Sequence, residues 1–284
     1  MLGEFDLEIP ETLENVLDLM AGGALPLAGG TTMLVDMRAG RERPDSVVSL
    51  ARLEGLRWIE ARGGRMAIGG GATVSDLLNS PEIAEHGASL VEAAKVFAGQ
   101  MVRNTATVAG NIASGSPAAD LAPPLMALDA ALELTGQDGA RSVALADYYT
   151  GYKQDVRRPG ELITAISWPL RGPGAADLFY KLARRKGDAI TVTGVAVSLA
   201  LAGGKCANVR IALGAVAPVV MRARTAEAVL EGQAPSPDLF DRAGQVAAAE
   251  CNPIDDVRAG AGYRRHCVHM LVRRLVSRAV ELSS

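Results

Sequence analysis

Apolar residues recur at helical spacing after Pro10, at Leu13, Val16, Leu17 and Met20, and Gly22-Gly23 closes the run. That pattern predicts a first helix. A short strand over residues 24–27 leads into a turn, Ala28-Gly29-Gly30-Thr31-Thr32, and regular structure resumes over 34–37. Apolar runs predict buried strands at 46–50 and 65–68, and helical spacing predicts helices at 74–78 and 89–98. Residues 121–130 are apolar and helix-prone around Pro123-Pro124. A hairpin over 131–134 and 142–145 follows, then a strand over 163–168 closed by Pro169. Arg171-Gly172-Pro173-Gly174 is the best linker candidate. Beyond it, β-branched residues predict strands at 190–201 and 209–213 around the turn Gly203-Gly204-Lys205. Helices follow at 225–230 and 238–249. In the last segment, 263–282, Val268, Leu271, Val272, Leu275, Val276 and Ala279 form one stripe, an amphipathic helix with an arginine-rich outer face.

A chain of 284 residues accommodates one large domain or two to three modest ones. Its 49% hydrophobic content supplies a real core, and a formal charge of -3 gives no sign of nucleic acid or an anionic membrane as partner. The most apolar segment is too short and too polar to span a bilayer. The start, MLGEFDLEIP, lacks the basic and apolar regions of a signal peptide. Cys206, Cys251 and Cys267 are widely spaced and form no CxxC pair, so neither a disulfide framework nor an iron–sulfur cluster held by this chain alone is expected. A reducing, cytoplasmic setting fits.

Three segments carry candidate chemistry. In the turn at 28–32, consecutive glycines leave backbone N–H groups uncovered, and the two threonines add donors, so the turn can wrap a pyrophosphate without a charged side chain. A Gly-Gly turn between strands is more often only a turn, and no P-loop pattern occurs anywhere in the chain. The second segment, 107–120, is dense in small and hydroxyl residues, with Asn111 and Asp120 as its strong polar anchors. Asp120 could hydrogen-bond a ribose or ribityl hydroxyl; the bland alternative is a tight polar loop. The third is a basic run, 181–188, which is usually a solvated face, but it lies just before a buried strand, so one of its cations could sit near an anionic ligand.

Taken together and in this order, the segments resemble the FAD-binding modules of the molybdenum hydroxylases, the xanthine dehydrogenase family and the medium subunits of aerobic carbon monoxide dehydrogenases. The resemblance spans nearly the whole chain and rests on AGGTT, TVAGNIASGSPAADLAP, GYKQDVRRPGELI ahead of ISWP, YKLARRKGDAI and NPIDDVRAGAGYRR. It implies an α+β fold: a PCMH/VAO-type FAD-binding domain over 1–170, with subdomains of about 1–53 and 54–170, and a C-terminal domain over 175–284 with a small antiparallel sheet and helices. It implies that Leu27, Ala28, Gly29, Gly30, Thr31 and Thr32 surround the diphosphate. Thr107, Gly110, Asn111, Ser114 and Asp120 would contact phosphates, ribityl and ribose. Leu162 would face the adenine, and Lys181 and Tyr180 would lie near the flavin. Relatives that attach FAD covalently carry a histidine near the first glycine turn; residues 24–40 contain none, so noncovalent FAD is expected. His86, His266 and His269 match no flavin position.

The same resemblance implies two partners, a small subunit with two [2Fe–2S] clusters and a large molybdopterin subunit, assembled as a dimer of heterotrimers. Substrate would be oxidised on the large subunit, and electrons would pass through this chain's FAD to an external acceptor. No nucleophile–base pair falls within the motifs, and no histidine is placed for acid–base work. Two alternatives stay open at this level: a stand-alone MurB-like flavin reductase, and a non-catalytic nucleotide-binding or assembly protein.

Overall fold

The structure, a computed structural model, describes residues 3–185 and 187–284. The first unit contains β1 (Asp6–Glu8), α1 (Leu13–Ala21), β2 (Leu25–Leu27), α2 (Met33–Arg38) and β3 (Ser46–Ser49). The Thr12 hydroxyl caps α1 by accepting from the Asn15 amide at 3.3 Å. β3 lies between β1 and β2, parallel to both, and Val16, Leu17, Met20 and Val48 form a small core beneath the sheet.

The second unit opens with β4 (Ile59–Arg62) and β5 (Arg65–Gly69). A helical stretch follows: α3 (Val74–Asn79), α4 (Pro81–His86), α5 (Ala88–Lys95), α6 (Gln100–Arg103), α7 (Val108–Ala113) and α8 (Ala122–Ala127). The chain then returns through β6 (Ala131–Gly136), β7 (Gly139–Ala144), the small hairpin β8 (Tyr149–Gly151) and β9 (Gln154–Asp155), and β10 (Leu162–Pro169). The sheet order is β4-β5-β10-β6-β7, antiparallel throughout. Trp168 is wholly buried in this core, and its indole N–H donates to the His86 carbonyl at 2.8 Å, so the largest apolar side chain carries no unmet donor.

The third unit is a four-stranded antiparallel sheet, β11 (Ala175–Ala183), β12 (Thr191–Ala202), β13 (Lys205–Gly214) and β14 (Met221–Arg222), followed by α9 (Arg224–Leu230), α10 (Pro237–Glu250) and α11 (Ala261–Ser283). Val195, Val197 and Leu199 of β12 pack with Val268, Val272 and Val276 of α11. Ala196 and Phe179, on the opposite face, join the core of the second unit. A sheet covered on both faces reads as one continuous apolar run.

The fold is α+β, as the resemblance implies. The sequence pattern misses β11. Its basic end, Lys181 onward, reads as a solvated face, yet Lys181 lies inside an edge strand in which Ala176, Asp177 and Phe179 are buried and Tyr180 is exposed. Lys186 lies outside the described residues. The apolar stretch 121–130 yields only the short α8, because the chain turns at Asp129 with φ +61° into β6. The segment 107–120, for which a tight polar loop is the bland alternative, contains α7.

α5 and the edge strand β11 are joined by two carboxylates, each serving the opposite element. Asp177 of β11 accepts from the Ser89 amide in the first turn of α5 at 2.6 Å. Glu92 of α5 accepts from the Phe179 amide of β11, also at 2.6 Å. The first meets an N-terminal helix donor, and the second covers an amide on a strand with only one neighbour.

Candidate functional site

The turn Ala28-Gly29-Gly30-Thr31-Thr32 joins β2 to α2 and lies directly on the backbone that precedes α7. A Cβ at Gly29 would stand 1.9 Å from the Thr105 carbonyl oxygen, so only glycine fits. Gly30 has φ +68°, which redirects the chain into α2. None of the amides of Gly29, Gly30, Thr31 and Thr32 donates to a backbone or side-chain acceptor among the described residues. Four consecutive uncommitted amides on one loop form a surface suited to an anion. Leu27 and Ala28 sit behind it: Leu27 packs toward Gly30 and Ala28 toward Gly110.

α7 supplies the facing wall. Thr107 caps it, its hydroxyl accepting from the Gly110 amide at 3.0 Å. The Asn111 Oδ1 accepts from the Leu121 amide at 3.2 Å. The Ser114 hydroxyl donates to the Asn111 carbonyl at 2.7 Å. These two side chains hold the loop after α7 in place, and the Asn111 amide NH2 is left for the cleft.

Between the walls runs a cleft of ≈ 470 Å³, lined by Gly29, Gly30, Thr31, Thr32 and Met33 on one side and Thr107, Gly110, Asn111, Ala113 and Ser114 on the other. Asp36, Glu42, Phe97, Lys153 and Arg157 complete its margin. A narrower recess of ≈ 70 Å³ adjoins it, lined by Leu50, Leu56, Leu162 and Ile163 and sharing Pro26, Gly110, Ala113 and Arg157 with the main cleft. An elongated ligand with an anionic middle and flat, apolar ends fits this combination.

Lys153 and Arg157 bring positive charge to the margin. Arg157 is paired in bidentate fashion with Asp155, at 2.9 and 2.8 Å. Burial opposes ionisation of Asp155, but that pairing holds its carboxyl below the usual range. Lys153 lies 3.5 Å from Asp36, whose carboxyl the Arg41 guanidinium beside it holds below the usual range.

Asp120, Lys181 and Tyr180 do not reach the lining of the cleft. The Lys181 ammonium contacts Asp120 Oδ2 at 2.6 Å and the Val96 carbonyl at 3.3 Å, beside Phe97 of the cleft margin. The Thr191 hydroxyl donates to the other Asp120 oxygen. Burial pushes the Asp120 carboxyl up, against the pull of Lys181 and Thr191. The Tyr180 ring is about half exposed on β11. Sequence reasoning singles out neither Asp36, Phe97, Lys153 nor Arg157; the signal was present for two of them, since Lys153 and Arg157 flank Asp155 in the conspicuous GYKQDVRRPGELI segment. His269 of α11 binds Asp241 of α10 at 3.0 Å, away from the cleft. Among the described residues, no helix is long and apolar enough to cross a membrane.

The profile of the FAD-binding domain in molybdopterin dehydrogenase matches residues 3–171. The chain belongs to this FAD-binding flavoprotein family. A second profile, the CO dehydrogenase flavoprotein C-terminal domain, matches residues 178–279. The flavoprotein is 35% identical to the carbon monoxide dehydrogenase medium chain of Afipia carboxidovorans, over 98% of this chain and 97% of that one. It is 30% identical to the nicotine 6-hydroxylase medium subunit of Paenarthrobacter nicotinovorans, over 95% of each chain. Among solved structures, a chain of carbon monoxide dehydrogenase from Hydrogenophaga pseudoflava superposes with a TM-score of 0.97 at 30% identity, covering 100% of both chains. The flavoprotein is thus an FAD-binding component of the molybdenum hydroxylase family, related to named oxidoreductase subunits along its whole length.

Proposed function

We propose that this flavoprotein is the electron-transfer subunit of a molybdenum-containing hydroxylase or dehydrogenase, relaying electrons from [2Fe–2S] clusters of a partner subunit to an external acceptor. Substrate is oxidised on a separate molybdopterin subunit, in a dimer of heterotrimers. The reading rests on one observation above the others: the glycine turn with four uncommitted amides faces α7 across the cleft, in a chain similar over its full length to medium subunits of such enzymes.

The residues fit FAD. Gly29, Gly30, Thr31 and Thr32 would present amides to its diphosphate; Thr107, Gly110, Asn111 and Ser114 would hold the ribityl and ribose; Leu162 would line the recess for a flat ring. Asp120 and Lys181 hold the Phe97 side of the cleft against β11 and β12. Bound there, the flavin supplies one- and two-electron redox chemistry between single-electron clusters and a two-electron acceptor. This chain's part is to bind, orient and shield it, which needs no nucleophile or general base. Cys206, Cys251 and Cys267 are free and buried, and among the described residues no group of three or more His, Cys, Asp or Glu side chains could hold a metal, which supports cluster ligands on the partner.

Mild purification from the native source, followed by a visible spectrum with iron and molybdenum counts, tests the proposal. A flavin band with iron–sulfur absorbance and stoichiometric molybdenum supports it. A flavin band in a chain that stays free of partners contradicts it.

A further inference from the structure

Lys153 occupies the tip of the β8–β9 hairpin with φ +53°, a left-handed conformation that glycine, asparagine and aspartate tolerate and lysine rarely adopts. Its neighbours enforce it. The Lys153 amide donates to the Gly115 carbonyl at 3.3 Å, and a Cβ on Gly115 would stand 2.8 Å from Lys153 Cα. The hairpin tip is thereby fastened to the start of the loop that follows α7. A glycine at this tip would remove the strain, so a lysine held there points to a use for its side chain.

The side chain reaches the margin of the cleft beside the glycine turn. Its ammonium stands 3.5 Å from Asp36 Oδ2, a loose pairing, while Arg41 grips Oδ1 at 2.8 and 2.5 Å. Asp36 is satisfied without Lys153, and the lysine side chain remains 45% exposed. Arg157, the other cation of the margin, is committed to Asp155. Glu42 lines the same margin and would repel an incoming diphosphate, so the site needs a cation free to move.

We infer that Lys153 is a cofactor-positioning residue: its ammonium leaves Asp36 and moves to the phosphate oxygens of the FAD diphosphate, completing the anion site that the glycine-turn amides begin. The inference rests on the FAD reading above and assigns to this residue a role that the motif segments leave open. A flexible lysine acts there as a point charge and need not match one phosphate geometry.

The test uses the full-length chain stripped of flavin, with Lys153→Met, Lys153→Arg and Lys153→Gly. FAD is titrated at low and high salt, and melting temperature is recorded without FAD. Lys153→Met is expected to weaken FAD binding about tenfold at low salt, the size of one charge-assisted hydrogen bond. Salt should narrow that gap, since the interaction is between partly exposed charges. Lys153→Arg should restore affinity. Lys153→Gly should melt no lower than the wild type while binding FAD as weakly as Lys153→Met. Wild-type affinity and salt dependence in Lys153→Met would overturn the inference, as would a Lys153→Gly protein that melts well below the wild type. A wild-type chain that takes up no FAD at any salt defeats the FAD reading itself.

Discussion

The two sides of the cleft are built on opposite principles. On the glycine-turn side, polar groups are left uncommitted: four amides have no acceptor, and Lys153 is held loosely by Asp36. On the β11 side, the charged groups are committed to partners, although the hydroxyls of Ser89 and Thr193 are buried without one among the described residues. Asp120 holds Lys181 and Thr191, Glu92 holds the Phe179 amide, and Asp177 holds the Ser89 amide. An anion-binding surface must keep donors unpaired until its ligand arrives, whereas a contact between two folded units pays heavily for burying charged groups unpaired. We therefore propose the first side as the binding face and the second as the joint that holds the C-terminal sheet against it.

The largest expected effect lies in the joint. Asp120→Ala leaves the Lys181 ammonium nearly buried without its carboxylate, 5% of that side chain being exposed. Urea unfolding should show a loss of about 3–5 kcal/mol. The double variant Asp120→Leu with Lys181→Met removes both charges and should recover most of that loss, which distinguishes a buried pair from mere packing. If the double variant is no better than the single one, Asp120 acts through something other than Lys181.

Next is the binding face. Gly29→Val places a Cβ against the Thr105 carbonyl, a backbone atom that cannot turn aside. The two walls must separate, at roughly 3 kcal/mol of stability, the upper end for overpacking. Flavin content of the purified protein should fall with it. A Gly29→Val protein with normal flavin and normal stability would mean that the turn is not pressed onto residues 105–106.

The smallest effect returns to the joint and depends on pH. Burial pushes the Glu92 carboxyl above its ordinary value, against the pull of the Phe179 amide. A carboxyl raised in the folded state stabilises the protein fully below its unfolded pKa, about 4.3, and that contribution is lost as pH rises through the folded value. Wild-type stability should therefore decline over that interval. Glu92→Gln keeps an acceptor for the Phe179 amide and should flatten the decline. It should gain less than about 1 kcal/mol at neutral pH, because solvent screens a half-buried group. An unchanged pH profile would place the titration elsewhere.

The binding face was more legible in the sequence than the joint, for a physical reason. A loop that offers backbone amides must be made of glycine and small residues, so AGGTT and TVAGNIASGS stand out along the chain. The joint is written in ordinary residues. The resemblance implies that Asp120 and Lys181 each meet the cofactor, and nothing in the sequence pairs them with each other, whereas β11 brings them within 2.6 Å. β11 itself was hidden because an edge strand with a charged end lacks a clean alternation. The strands at 46–50 and 163–168 and the long C-terminal helix were read correctly, because apolar runs and an uninterrupted stripe determine them locally. For Lys153 the sequence offers only its place in the GYKQDVRRPGELI segment, since its distinction within that segment is a backbone angle and a loose ion pair, and neither has a sequence signature.

The most direct test of the account is the FAD stoichiometry of the purified chain, measured together with that of Gly29→Val. One FAD per wild-type chain, released intact on denaturation and absent from a folded Gly29→Val protein, is the predicted result. A wild-type chain without flavin, or a variant that retains its full complement, would contradict the placement of FAD between the glycine turn and α7.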